Sequence, residues 1–196
     1  MFPLGMVALP TESVPLHIFE DRYRRMIEEC MASEGEFGIV WLSEEELKPV
    51  GCACEVDRVL ERKEDGRLNI IARGTRPFRL VERQDDLPYP AAVVEFLPEQ
   101  EEEPDPEVVA ETRGLYAELV EQATDKRLDD EELAELDAYT MAATVEFGTD
   151  VKQELLELRS EQRRLEMVAE LLDGVRAVLI ATRELGERAK KNGSRL

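Results

Sequence analysis

The sequence predicts an α+β fold: a β-rich N-terminal lobe, a twisted sheet or partly closed barrel with one inserted helix, followed by an α-helical bundle lobe. Three observations predict it. Composition changes near residue 98, from β-branched and aromatic residues alternating with polar ones to a chain rich in Glu, Leu, Ala and Arg. Asp65-Gly66 separates two alternating apolar runs, the pattern of a hairpin whose turn needs positive φ. From Asp150 onward, apolar residues from Val151 and Leu155 through Leu172 to Leu179 recur at helical intervals.

The elements follow in order. Phe2 to Leu9 reads as an apolar strand, followed by a Pro-punctuated loop. Residues 18 to 32 read as a helix, with Phe19, Tyr23, Met26, Ile27 and Cys30 on one face, stopped by Gly35. Phe37 to Leu42 is a fully apolar run and reads as a buried strand. Residues 43 to 49 (SEEELKP) read as a loop. Residues 50 to 60 form a strand with Val50, Cys52, Cys54 and Val56 on one face, and the phase shift at Val59 indicates a bulge. Residues 67 to 74 return with Leu68, Ile70 and Ala72 inward. Gly74 and Pro77 mark a further turn, and residues 77 to 84 and 89 to 98 add two strands. Five to six short strands with one helix describe a small sheet or partly closed barrel.

The junction LPEQEEEPDPEVV carries an acidic run and two prolines, which cannot sit inside a helix or central strand. The boundaries are therefore 1–98 for the β-rich lobe, 99–106 for the linker and 107–196 for the helical lobe. Asp105 reads as N-cap and Pro106 as the first helical residue. Val108 to Gln122 is a helix, and Leu133 to Phe147 a second, opened by the acidic stretch Asp129 to Glu132 and ended by Gly148. The seam from Asp150 suits a bundle better than a coiled coil, because Gly174 interrupts it. Arg188 to Leu196 are basic and read as a frayed end.

Of the 196 residues, 43 % are apolar, enough for a core, and the net charge is −20. So acidic a chain repels phosphate backbones and anionic lipid, which argues against nucleic acid and membrane as partners. No apolar run reaches the roughly 18 to 20 residues of a membrane span. The N-terminus does not read as a signal peptide. Three cysteines, an odd and small number, suit a reducing cytoplasm.

Catalytic and metal readings are weak. Cys52-x-Cys54, with Cys30 and His17, could be imagined as a zinc site, but C-x-C is not the usual spacing and core packing is the favoured reading. His17 is the single histidine and lacks an acid–base partner, and Ser13 and Ser33 lack a base. Glu44 to Glu46 and Glu101 to Glu103 are contiguous, so their side chains diverge and read as solvated. Residues 58 to 83 run against the overall sign: Arg58, Arg62, Lys63, Arg67, Arg73, Arg76, Arg79 and Arg83 face only Glu61, Glu64, Asp65 and Glu82. They read either as a docking surface for acidic segments or, preferably, as a face covered by the acidic helical half. Catalytic, cofactor and metal residues are thus expected to be none. Which of Leu4, Met6, Phe19 or Trp41 is exposed for binding is left open.

Taken together, the parts resemble the N-terminal, substrate-binding domain of Lon-type ATP-dependent proteases. FPL at 2–4 resembles that domain's first strand, and PLHIFEDRYRRMI at 15–27 its run into the first helix. FGIV at 37–40 and VGCACEVDRV at 50–59 resemble the next strands. DGRLNIIARGTRPFRL at 65–80 resembles its hairpin and G-x-x-R-F-R turn, and KQELLE at 152–157 with RRLEMVAELL at 163–172 the helical half. Pro77 and Phe78 depart from the single aromatic more usual after Arg. No phosphate-binding loop G-x-x-x-x-G-K-[ST] is present, and no room remains for a Ser/Lys protease domain. The resemblance is to a stand-alone bacterial member. It implies a PUA-like β lobe, a helical lobe and non-enzymatic recognition of unfolded or degron-bearing polypeptide. Cereblon shares the module, so a scaffold that homodimerises or docks a partner protein through the helical lobe is the alternative.

Overall fold

Two long strands of alternating apolar pattern form the spine of the sheet: β4 (Glu46–Arg62) and β5 (Leu68–Gln84), antiparallel around a turn where Gly66 takes φ 83°. The computed structural model describes residues 1–44 and 46–193. The other strands are β1 (Phe2–Leu4), β2 (Ser13–Ile18), β3 (Phe37–Ser43) and β6 (Ala91–Phe96). The helices are α1 (Asp21–Ser33), α2 (Pro106–Thr124), α3 (Asp130–Ala134), α4 (Ala138–Ala142), α5 (Thr149–Glu157) and α6 (Glu161–Gly193). The strand order is β1-β3-β4-β5-β2, and β6 also pairs with β5. β1 runs parallel to β3, and the other pairs are antiparallel. One edge of β5 serves two strands in turn, β2 along residues 68–73 and β6 along 78–84. The fold class is α+β, with an open six-stranded sheet.

Several elements differ from expectation. The first strand ends at Leu4, and the Pro-containing stretch 13–18 is a strand of its own. Pro15 is tolerated because β2 is an edge strand, where a missing N–H costs no ladder bond. Phe19 therefore precedes α1 and is 60 % exposed, outside the helix face. Glu34, at φ 50°, caps α1 one residue before the expected Gly35. The stretch 43–49 is not a long loop: Ser43 pairs with Glu46, the first residue of β4, and residues 46–49 belong to that strand. Gly74 and Pro77 lie within a continuous β5. Gly74 is required there because a Cβ would meet the Leu9 carbonyl at 2.0 Å, and its backbone bonds Thr11 and Glu12.

The core lies along the middle of β4. Val50, Gly51, Cys52, Ala53 and Cys54 are all buried, on both faces of the strand. On one face Ala53 packs with Val40 and Phe78. Ile39, Leu68 and Ile70 of the sheet are also fully buried. α1 buries Tyr23, Met26 and Ile27, and Phe2 bridges Tyr23 and Phe37 at centroid distances of 4.3 and 5.5 Å.

Packing divides the chain into two units, residues 1–101 with 139–160 and residues 102–138 with 161–196. The expected helical lobe 107–196 is therefore not one packing unit, because α5 and most of α4 belong with the sheet. Lys152 of α5 pairs with Glu12, and Gln153 donates to the Val50 carbonyl at 3.1 Å. In the second unit α2 and α6 pack together, with Tyr116, Leu119, Leu165, Val168 and Leu172 buried. Asp105 caps α2 by accepting from Glu107 N at 2.8 Å, with Pro106 in the first turn. Asp129 and Glu132 form a capping box on α3. The expected helix 133–147 is split into α3 and α4. The apolar seam is interrupted at 158–160, and Gly174 lies inside a continuous α6. Residues 194–196 of the expected frayed end lie outside the described residues.

Candidate functional site

The sheet unit carries an apolar cleft of about 220 Å³. Its floor is made by deleting side chains. The ring of Phe78 on β5 lies over Gly38 of β3 and Gly51 of β4, where an added Cβ would come within 2.6 and 2.8 Å of that ring. Ala53 extends the floor, β6 supplies Ala92, Val94 and Phe96, and α1 supplies Met26 and Cys30. Met1 N donates to the Pro90 carbonyl at 2.7 Å, which ties the start of β1 to the residue preceding β6.

Charges at the cleft are satisfied from within. Glu36 accepts from Thr75 Oγ1 at 2.5 Å and from Arg76 at 2.7 Å. Burial pushes its carboxyl up, but those two hydrogen bonds and the Arg76 charge outweigh it and hold it below the usual range. The Arg76 guanidinium lies 3.6 Å from the centroid of the Phe96 ring. Tyr89 donates to Glu29 at 2.5 Å, and Arg25 donates to the same carboxylate at 2.8 Å. That bond holds the Tyr89 phenol up at about 12 and Glu29 below its usual range. Burial raises the Cys30 thiol, which keeps it protonated at neutral pH.

The arrangement suits binding rather than reaction. A cleft of this size falls below the roughly 300–1,000 Å³ typical of small-molecule sites. It exceeds the roughly 150 Å³ of a cavity that holds benzene, so it fits one bulky apolar side chain. With its carboxylates already paired, the mouth favours an uncharged occupant.

The residues singled out from sequence are scattered. Cys52 and Cys54 are buried in the core; the Cys54 thiol beside it and burial hold the Cys52 thiol well above its ordinary value. His17 is exposed on β2, with Nδ1 2.6 Å from Asn69 Oδ1 and its ring stacked on Phe19 at 5.9 Å. No group of three or more His, Cys, Asp or Glu among the described residues could hold a metal ion. Ser33 Oγ donates to the Glu29 carbonyl, a helix-end bond. Glu45 lies outside the described residues. Of the four apolar candidates, Trp41 is buried and Phe19 exposed, while Leu4 and Met6 are half-exposed or less. Five of the eight basic residues in the stretch are paired within their own unit: Arg58 with Asp57, Arg62 with Glu28, Lys63 with Glu61, Arg67 with Asp65 and Arg76 with Glu36.

Sequence reasoning missed Phe78, Gly38, Gly51 and β6 as a cleft. The signal was present in Gly38 and Gly51, since glycine inside a strand marks close approach by another group.

Comparison with known proteins gives a consistent result. The family model of the ATP-dependent protease La (LON) substrate-binding domain matches residues 1–174. A Lon protease of Paraburkholderia phytofirmans is 32 % identical over 160 residues, covering 74 % of this chain and 19 % of that protein. A Lon protease of Brevibacillus choshinensis is 25 % identical over 214 residues, covering 100 % of this chain and 27 % of that protein. This chain thus spans about a quarter or less of the length of the curated relatives it matches. Among solved structures, the Lon N-terminal domain protein from Xanthomonas campestris superimposes with a TM-score of 0.64 at 24 % identity, covering 85 % of this chain and 94 % of that one. The N-terminal domain of a Mycobacterium avium complex Lon protease gives 0.62 at 22 % identity, covering 86 % and 94 %. Both share the fold.

Proposed function

Because the chain belongs to the Lon substrate-binding domain family, we propose that it is a polypeptide-recognition module, working by equilibrium contact and performing no catalysis of its own. The observation that carries this reading is the apolar cleft floored by Phe78 and bordered by β6. β6 pairs with β5 alone, so its other edge carries no ladder partner among the described residues. Its sequence AAVVEF holds neither Lys nor Pro, the residues that blunt an edge. Val93 and Phe96 are exposed on it. An extended client segment adds to β6 through main-chain hydrogen bonds and lodges one apolar side chain in the cleft. Clients are unfolded or degron-bearing polypeptides, whose exposed apolar residues are what this site selects.

The test is fluorescence anisotropy with labelled uncharged apolar peptides and a permanently unfolded, reduced and alkylated client. The folded protein is expected to bind both. Ala92→Trp, which fills the cleft from β6, is expected to weaken binding by about tenfold, the loss of one buried apolar anchor. A well-folded protein that binds no client in the panel would overturn the reading, as would ATP hydrolysis or peptide cleavage by this chain alone.

A further inference from the structure

A second groove, of about 300 Å³, lies beside β4 where β3 leaves off. β3 accompanies β4 only as far as Phe37 opposite Cys54. From Glu55 to Arg62, β4 pairs with β5 alone, so its other backbone edge has no ladder partner among the described residues. Glu55, Val56 and Val59 line the groove from this edge, and Met31 and Glu34 line it from the end of α1. Arg58 is taken up by Asp57 at 3.1 Å. Glu34 and Glu55 have no ion pair among the described residues; with Asp57 they outnumber Arg58 in the groove's lining, and Arg73, opposite Glu55 in the β4–β5 ladder, offsets part of that negative charge.

We propose that this groove takes a short extended segment of a basic polypeptide, which adds to β4 as a strand in line with β3. The proposal rests on the polypeptide-recognition reading and names a client class for it. Neighbouring residues on a strand point to opposite faces, so Glu55 and Val56 present a carboxylate on one face and an apolar side chain on the other. A guest with Lys or Arg alternating with apolar residues matches both at once. Register shifts after Val56 and Val59 confine regular pairing to a few residues, so the guest segment is short. The net charge of −20 draws a cationic chain toward the protein before contact.

The experiment uses a labelled Lys-Val alternating heptapeptide, its Glu-for-Lys counterpart and a version N-methylated at alternate amides. Anisotropy is read against the full chain and against Glu34→Lys/Glu55→Lys, two exposed positions whose folding is checked by circular dichroism. The Lys-Val peptide is expected to bind, more weakly as salt rises. Its affinity is expected to fall by about tenfold or more for the double variant, for the Glu counterpart and for the N-methylated peptide, since each removes charge-assisted or main-chain contacts. The double variant is expected to keep wild-type affinity for an uncharged apolar peptide, because neither residue touches the cleft. Undiminished binding of the Lys-Val peptide by the double variant, equal binding of the N-methylated peptide, or no binding at all would overturn the proposal. Binding of the Lys-Val peptide alongside failure of the uncharged one would leave the groove standing and sink the cleft.

Discussion

Gly38 and Phe78 set the depth of the cleft together. An alanine at position 38 would put its methyl into the Phe78 ring, and overpacking of this kind costs roughly 1–3 kcal/mol. Gly38→Ala is therefore predicted to lower denaturant stability by about that amount, and Gly38→Ala/Phe78→Leu to cost less than the sum of the single changes. Additive losses would show that the two residues do not share the space assigned to them. The three cysteines offer a second test. Cys52 and Cys54 are closed to reagent in the core, so only Cys30 is predicted to react with a thiol reagent in the native protein, with the other two appearing on unfolding. Tyr89 is predicted to ionise near 12 in an ultraviolet pH titration, and Glu29→Gln to bring it down. At this scale the sequence was partly legible. The burial of Cys52 and Cys54 followed from alternation, whereas the cleft needed knowledge that β3, β4 and β5 are neighbours in one order, which no local pattern contains.

Long elements were read well where periodicity was strong and poorly where chain punctuation has two meanings. Gly74 and Pro77 are turn residues by type. Here they sit inside β5, since the loop at residues 9–12 crosses close to Gly74 and Pro77 lies between the stretches of β5 that pair with β2 and with β6. Pro15 likewise read as loop, although an edge strand admits it. The cap Asp105 was visible because a cap is a local device, whereas Asp129 reads only as part of an acidic stretch opening a helix. Asp105→Ala is predicted to cost about 1 kcal/mol, measured by chemical denaturation. The contact of α5 with the sheet was not visible, because Lys152 and Glu12 are joined by the fold alone. Both side chains are less than one-sixth exposed, and Glu12 also accepts from Leu9 N. Removing one partner of such a pair leaves a poorly solvated charge, so Lys152→Met is predicted to cost about 3 kcal/mol. A change within error of zero would mean that the pair is solvated.

At the scale of the whole molecule, composition predicts a boundary near residue 98, and helices do follow it. It does not predict that the chain returns to the sheet unit at 139–160. Leu155, Leu156 and Met141 are fully buried there, and apolar burial of this kind has no local signature that says against what the residues pack. A fragment of residues 1–101 is therefore predicted to lack cooperative thermal unfolding. The central claim is that a client polypeptide occupies the Phe78 cleft and the β6 edge. Hydrogen exchange of the full chain with and without saturating unfolded client tests it most directly. The account predicts new protection in Ala91–Phe96 and at the Met26–Cys30 end of α1, abolished by Ala92→Trp. Client binding without a change in those segments, or protection that survives Ala92→Trp, would contradict it.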